Sequence, residues 1–246
     1  MTMPMDWDPA PVKTKKRSPL KVPAPFGVQS YKGARNPQTR SNSAHRLSFA
    51  LATPATKNVR QIYHFESAAE FAVALEASLD PDLYGLEVQL PAIRYPWEHN
   101  KQGYREHNFD FRLTFNDGYR RAIYVKNGRG LQSKTTQAEI AAIFASVGED
   151  FADDAIVVNA DHYTRAYRDN LRRLWYLSQE YCPEDDAAVK EAAQNTNYWL
   201  LSDLISHCPI PPADAWQASM RLIARGVLRA NWYSVITVHS RIWLAE

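Results

Sequence analysis

The chain of 246 residues contains only two cysteines, Cys182 and Cys208, far apart and without a C-x-x-C spacing. That scarcity excludes a disulfide framework and a cysteine zinc site, and it fits a reducing compartment. No apolar run approaches the roughly 18 residues that a membrane span requires. The opening Met-Thr-Met-Pro-Met-Asp lacks the basic and apolar regions of a signal peptide. These absences predict a soluble cytoplasmic protein with no membrane partner. Residues 1–58 are also poor in aliphatic side chains and in periodicity, being rich in Pro, Ser, Thr, Lys and Arg. Such a composition predicts a largely disordered arm, with a short ordered stretch near Leu47 to Leu51.

What the chain does have is uneven charge. The net charge of +2 hides eleven Lys/Arg against Asp6 and Asp8 in residues 1–60, a net of +9 that leaves −7 on the remainder. A basic arm on an acidic body is the pattern of a nucleic-acid partner, with Lys13, Lys15, Lys16 and Arg17 as the candidate phosphate contacts. A merely solubilising tail has the same composition.

Residues 59–180 read as an α/β domain. Val59 to Phe65 is extended, and Ser67 opens a helix to about Leu79 with Phe71, Ala74, Leu75 and Leu79 on its apolar stripe. Leu83 to Tyr95 is extended and leads into a polar loop to Glu106. A helix over Thr136 to Val147, a buried strand over Ala155 to Asn159 and a helix over Thr164 to Gln179 complete a mixed sheet flanked by helices. Residues 181–246 change texture: helices over Ala187 to Gln194, Tyr198 to Ser206 and Ala213 to Arg225 precede two short strands, Val227 to Trp232 and Val235 to Leu244. That order predicts a winged helix. A plain helical subdomain capped by a hairpin is the alternative. Arg221, Arg225 and Arg229 are its candidate DNA contacts, while Asp203 and Asp214 favour a protein-docking surface.

The chemistry centres on His107 to Asn127, which reads as a β-hairpin. Phe109, Phe111, Leu113 and Phe115 alternate with Asn108, Asp110, Arg112 and Thr114, and Asn116-Asp117-Gly118 supplies the turn. A two-residue turn at Asp117-Gly118 would set Asp110 opposite Val125 and split the apolar sets. Matching Phe111 and Leu113 with Ile123 and Val125 requires an odd loop or a bulge. Asp110 then shares its face with Tyr124 and Lys126. An acid and a lysine so placed suit a metal-dependent nuclease, in which the acid holds divalent ions at the phosphate and the lysine orients water. A cross-strand surface salt bridge has the same layout. The similar triplets Glu98-His99-Asn100 and Glu106-His107-Asn108 flank the polar loop and are read as solvated rather than as a metal pair.

Several short motifs in order resemble TnsA, the endonuclease subunit of heteromeric transposases. They are Phe65-Glu66-Ser67-Ala68-Ala69-Glu70, Leu79-Asp80-Pro81-Asp82, Glu87-Val88-Gln89-Leu90-Pro91, Asn108-Phe109-Asp110-Phe111, Ile123-Tyr124-Val125-Lys126, Asn170-Leu171-Arg172-Arg173-Leu174 and Leu222 to Leu228. The resemblance implies a restriction-endonuclease-like fold, PD-(D/E)xK, followed by a winged helix. It further implies Mg²⁺ or Mn²⁺ as cofactor, DNA, a transposase and an ATPase regulator as partners, and a nucleoid-associated location. Glu70, Asp110 and Lys126 match the catalytic positions, with Glu70, Asp110 and the Val125 carbonyl as metal ligands. Glu87 or Glu139 would assist. Ser67-x-x-Glu70 and Thr136-x-x-Glu139 are also capping boxes, which would use the same carboxylates on the backbone. The departure is Tyr124, where the family carries Glu or Gln; a phenol with a pKa near ~10 is a poor Mg²⁺ ligand. A non-cleaving DNA-binding or assembly subunit of the same fold is the alternative function, and a transcriptional regulator a third.

Overall fold

The computed structural model describes residues 26–36, 47–98 and 100–245. Lys13, Lys15, Lys16 and Arg17, the proposed phosphate contacts of the arm, lie outside the described residues, as does His99.

A four-stranded sheet carries the centre of the molecule, in the order β3 (Leu83–Val88), β6 (Phe111–Phe115), β7 (Arg120–Lys126) and β8 (Asp154–Asn159). The first two pairings are antiparallel and β7–β8 is parallel, so the sheet is mixed, as the element order predicts. Helix α1 (Ala68–Ala77) and helix α4 (Arg165–Ser178) pack against each other, and the core on their side of the sheet holds Phe71, Leu75, Leu86, Val88, Phe111, Leu113, Ile123 and Leu171. After the one-turn helix α2 (Gly128–Leu131), helix α3 (Lys134–Ala145) contributes Ile143 to a second cluster with Phe109, Ala122, Tyr95 and Leu90. Only Ile143 of the predicted α3 stripe is fully buried, with Ile140 and Phe144 half-buried. Strand β8 is half-buried throughout rather than buried, because it is the sheet's edge.

The folded body extends upstream of Val59. Strand β1 (Leu47–Leu51) pairs residue for residue with β2 (Gln61–Phe65), and Gln29 exchanges backbone hydrogen bonds with Arg60 and Ile62 at 2.7 and 3.0 Å. Leu47, Phe49 and Leu51 alternate onto the first core, which is the apolar anchor that averaged composition conceals. The polar loop also differs from expectation. It holds a small antiparallel pair, β4 (Ile93–Pro96) with β5 (Tyr104–His107), so the turn proper is much shorter.

Beyond α4 come α5 (Pro183–Asn195), α6 (Leu201–His207), α7 (Pro212–Ala224) and a two-stranded sheet of β9 (Leu228–Ala230) and β10 (Ile242–Leu244). These strands are shorter than the sequence suggests. The intervening chain is held from α4 instead: Asn170 donates to the carbonyls of Trp232 and Ser234 at 3.0 and 2.8 Å and accepts from the Ile236 N–H at 3.0 Å. Arg173 donates to the Ile236 carbonyl at 2.6 Å. Leu171 belongs to the first core and Leu174 to the core of the C-terminal helices, so α4 serves both.

Candidate functional site

The hairpin register brings the site into being. Phe111 pairs with Ile123 and Arg112 with Ala122, and a three-residue loop, Asn116-Asp117-Gly118, joins the strands. Gly118 takes φ +88°, a left-handed turn position suited to glycine. The odd loop is the one that the hydrophobic pattern requires. Past Phe111 the two strands part, and the Asp110 carboxylate fills the gap, accepting the Val125 N–H at 2.8 Å. In an extended strand the N–H and C=O of one residue point to the same side. The Val125 carbonyl is therefore directed to the same parting of the strands.

Glu70 reaches this point from the first turn of α1. It is 7 % exposed, and both oxygens cap the helix: Oε2 accepts the Glu66 N–H at 2.9 Å and Oε1 the Ser67 hydroxyl at 3.0 Å. Ser67 in return accepts the Glu70 N–H at 3.1 Å. The Ser67 half of the predicted capping box is thus formed, while the Glu70 carboxylate takes the Glu66 N–H, one residue before the cap, in place of the Ser67 N–H. Each carboxylate oxygen retains a further lone-pair direction, so capping does not exhaust its acceptor capacity.

Electrostatics marks the place as acid-rich. Burial raises the Asp110 pKa well above the ordinary carboxylate range; the negative charge of Glu70 adds to this, the Val125 N–H opposes it, Glu66 raises it further, and Lys126 lowers it least of all. Burial likewise raises Glu70, against the hydrogen bonds from Glu66 and Ser67, with the Glu66 charge raising it again. Asp110 keeps a solvent-accessible edge even though its carboxyl is surrounded by protein. The positive charge nearest this place is that of Lys126, the weakest of these influences on Asp110, and of Arg35, which lies 3.4 Å from Glu66.

Tyr124 does not approach the carboxylates as a ligand would. Its ring lies edge-on to His107, with centroids 4.4 Å apart, and the Lys126 ammonium sits 5.5 Å from its centroid. A cation at that distance over an aromatic ring is attracted to its face. His107 is not the solvated loop residue predicted: it packs on Phe109 and Tyr124, its Nε2 is buried without a hydrogen-bond partner, and burial lowers its pKa to about 4. The periodicity signal was present, since His107 continues the alternation of Phe109 and Phe111, but the polar triplet obscured it.

The other candidate ligands are occupied elsewhere. Arg112 binds Glu87 through two hydrogen bonds of 2.7 and 2.9 Å. Glu139 accepts from Tyr95 at 2.6 Å and Arg105 at 2.9 Å, and the α3 cap is Ser133, which accepts the Thr136 N–H at 3.4 Å. The predicted Thr136-x-x-Glu139 box is therefore not formed. Among the described residues no group of three His, Cys, Asp or Glu side chains is clustered as a metal site. In the C-terminal region, Arg221 and Arg225 are not free for DNA: both bind Asp186, at 2.7 and 2.5 Å, and Arg221 is 1 % exposed. Asp203 caps α6 by accepting from Leu200 at 2.8 Å and Trp199 at 3.2 Å.

Sequence reasoning missed Gln89. It is fully buried at φ +53°, a left-handed conformation costing a non-glycine residue roughly 1 kcal/mol or more. Its N–H donates to the Asp110 carbonyl at 3.1 Å, its carbonyl accepts the Ala34 N–H at 3.0 Å, and its side chain accepts from Arg35. Arg35 also reaches Glu66 at 3.4 Å. A strained residue thus fixes the backbone of Asp110, and nothing local in the sequence announces it.

The chain matches no protein-family model and no curated protein. No helix among the described residues is long and apolar enough to cross a membrane.

Proposed function

We propose that the protein is a TnsA-like, divalent-metal-dependent DNA endonuclease subunit with a restriction-endonuclease-like domain and a C-terminal winged-helix-like region. The observation that carries this reading is the buried Asp110 carboxylate in the gap where β6 and β7 part, bonded to the Val125 N–H and under the charge of Glu70. A buried carboxylate whose pKa is raised by burial and by the charge of a second one suits a hard cation with oxygen ligands. Glu70, Asp110 and the Val125 carbonyl would hold Mg²⁺ or Mn²⁺. Such an ion, when bound, polarises a phosphodiester and neutralises charge on it. Lys126, held over Tyr124, orients a water molecule or balances phosphate charge from the adjoining strand face.

A groove of about 690 Å³ beside the start of α1 supports DNA as the substrate. It is lined by Ser67, Ala68 and Ala69, by Arg165, Arg168 and Arg172 of α4, and by Asp161 and Asp169, the last of which pairs with Arg172 at 3.0 Å and Arg165 at 3.9 Å. Arg168, for which no ion pair is seen among the described residues, is the candidate phosphate contact of this groove, with Arg165 and Arg172 shared with Asp169. A transposase and an ATPase regulator remain the partner classes implied by the resemblance.

Tyr124 favours a second reading, a non-cleaving DNA-binding or assembly subunit, because its ring packs on His107 where an oxygen ligand would be needed. One experiment separates the two. The purified protein, alone and with candidate partner subunits, is incubated with labelled DNA and Mg²⁺ or Mn²⁺ beside Asp110→Ala. Metal-dependent nicking lost in Asp110→Ala is the expected result. Nicking that survives the substitution would overturn the site, and salt-sensitive binding without nicking would establish the second reading.

A further inference from the structure

The C-terminal strands carry a surface that the acid site does not use. In β9–β10, Leu228 and Ile242 face inward, while Arg229 and Trp243, direct cross-strand partners, face out. Arg241 lies two residues before Trp243 and is likewise exposed, so strand alternation puts both on the outer face. Arg241 stacks on Trp199, its guanidinium carbon 3.8 Å from the ring centroid. Trp199 is 61 % exposed and Trp243 51 %, and a cleft of about 290 Å³ runs between them, floored by Tyr198 and Ile242.

Singly exposed aromatics are common, but two tryptophans open on the same cleft form a patch of the kind that marks a partner site. The cleft lining includes an arginine and no carboxylate, and Arg229 adds a second cation on the same face. Its complement is anionic and offers flat groups for stacking. An arginine fixed on a tryptophan keeps its edge N–H groups for a phosphate, while the exposed ring faces accept bases. A strand of unpaired nucleic acid has both features at every residue. We propose that the Trp199–Arg241–Trp243–Arg229 face binds single-stranded nucleic acid by base stacking and phosphate pairing. The surface would hold an unpaired end or a displaced strand, independently of whether the acid site cleaves.

The test uses the full chain carrying Asp110→Ala, so that cleavage plays no part. A dT oligomer of about ten nucleotides and a duplex of the same length are titrated, following tryptophan emission and anisotropy. Trp243→Ala and Trp199→Ala are each expected to weaken single-strand binding by about 5- to 150-fold, the equivalent of losing one stacked base, with duplex binding unchanged. Trp243→Phe restores most of the loss. Arg229→Ala lowers the salt slope of single-strand binding by about 0.7. Unchanged single-strand affinity in the Trp199→Ala/Trp243→Ala double variant, with an unaltered melting temperature, would overturn the proposal. So would equal losses on duplex, or full competition by a polyglutamate peptide, which would assign the face to an acidic protein.

Discussion

Two centres in this molecule set carboxylates and basic side chains together in buried surroundings, and they balance charge in opposite ways. Asp186 on α5 is shared by Arg221 of α7 and Arg225 at its C-cap, with Glu180 3.6 Å from Arg221. Every charge there has an opposite neighbour from the protein itself. At the other centre the charge of Glu70 raises Asp110, Glu66 adds to this although Arg35 reaches it at 3.4 Å, and Lys126 is the weakest influence on Asp110. Burial alone does not separate a structural ion pair from a candidate site; the charge left uncompensated does. The comparison also explains why the arginines of α7 misled the sequence reading. Their partner lies 35 and 39 positions upstream, on another helix.

The sharpest way to break this contrast is to remove one acid from each centre. Asp186→Ala would leave the Arg221 guanidinium buried with only a distant Glu180, which costs about 3–5 kcal/mol. Urea unfolding should show that loss as a lower midpoint with an unchanged slope. Asp110→Asn removes a repelled charge while keeping a side-chain oxygen for the Val125 N–H, so it should cost far less or raise stability. Equal destabilisation by the two substitutions would erase the distinction.

How much of this was legible beforehand depends on the range over which each feature is encoded. The face on which Asp110 lies followed from apolar alternation and an odd loop, because a one-residue slip would turn every side chain over; the exact register, with Leu113 opposite Arg121 rather than an apolar partner, did not. Ser67 caps α1 and Glu70 reaches back to the Glu66 N–H, a local pattern visible in a few residues. The same residues carry two meanings, and only the proximity of Asp110 adds the second. Gln89, the Asp186 ion pair and the grip of Asn170 on residues 232–236 depend on partners in distant elements, and no local pattern specifies them. The β4–β5 pair was hidden by its polar composition, and β1 by the charge of the segment around it.

Acidity offers a finer test of the same contrast. The folded pKa values of Asp110 and Glu70 lie above their unfolded values, so both groups bind protons more tightly when folded. Their contribution favours folding at the acid end and is lost as pH rises from about 4, the unfolded carboxylate value, through the raised folded values. His107 acts in the opposite sense between about 4 and 6.5: its folded pKa is lowered, the unfolded chain binds the extra proton, and stability rises with pH. Because His107 is common to both proteins, the stability difference between Asp110→Asn and the parent isolates the carboxylate. That difference should shift in favour of the variant as pH climbs above about 4. A difference that stays flat from pH 4 to pH 8 would remove the repulsion on which the site rests.

The smallest effect is the most discriminating for Glu70, which serves a cap and adjoins Asp110 at once. Ser67→Ala takes away the hydroxyl that accepts the Glu70 N–H and should cost about 1 kcal/mol whether or not divalent metal is present. Glu70→Gln keeps an oxygen for the Glu66 N–H and relieves the repulsion on Asp110, so its stability should lie within about 0.5 kcal/mol of the parent. Binding of Mg²⁺ or Mn²⁺ to the folded chain raises the melting temperature by mass action. If Glu70 is a ligand as well as a cap, Ser67→Ala keeps that metal-induced rise and Glu70→Gln loses it. The same rise in both variants would leave Glu70 as a cap alone and Asp110 as the only side chain of the pair able to hold the ion. Two carboxylates against a single lysine would then be a strained structural feature, and the difference from the Asp186 centre would be one of degree.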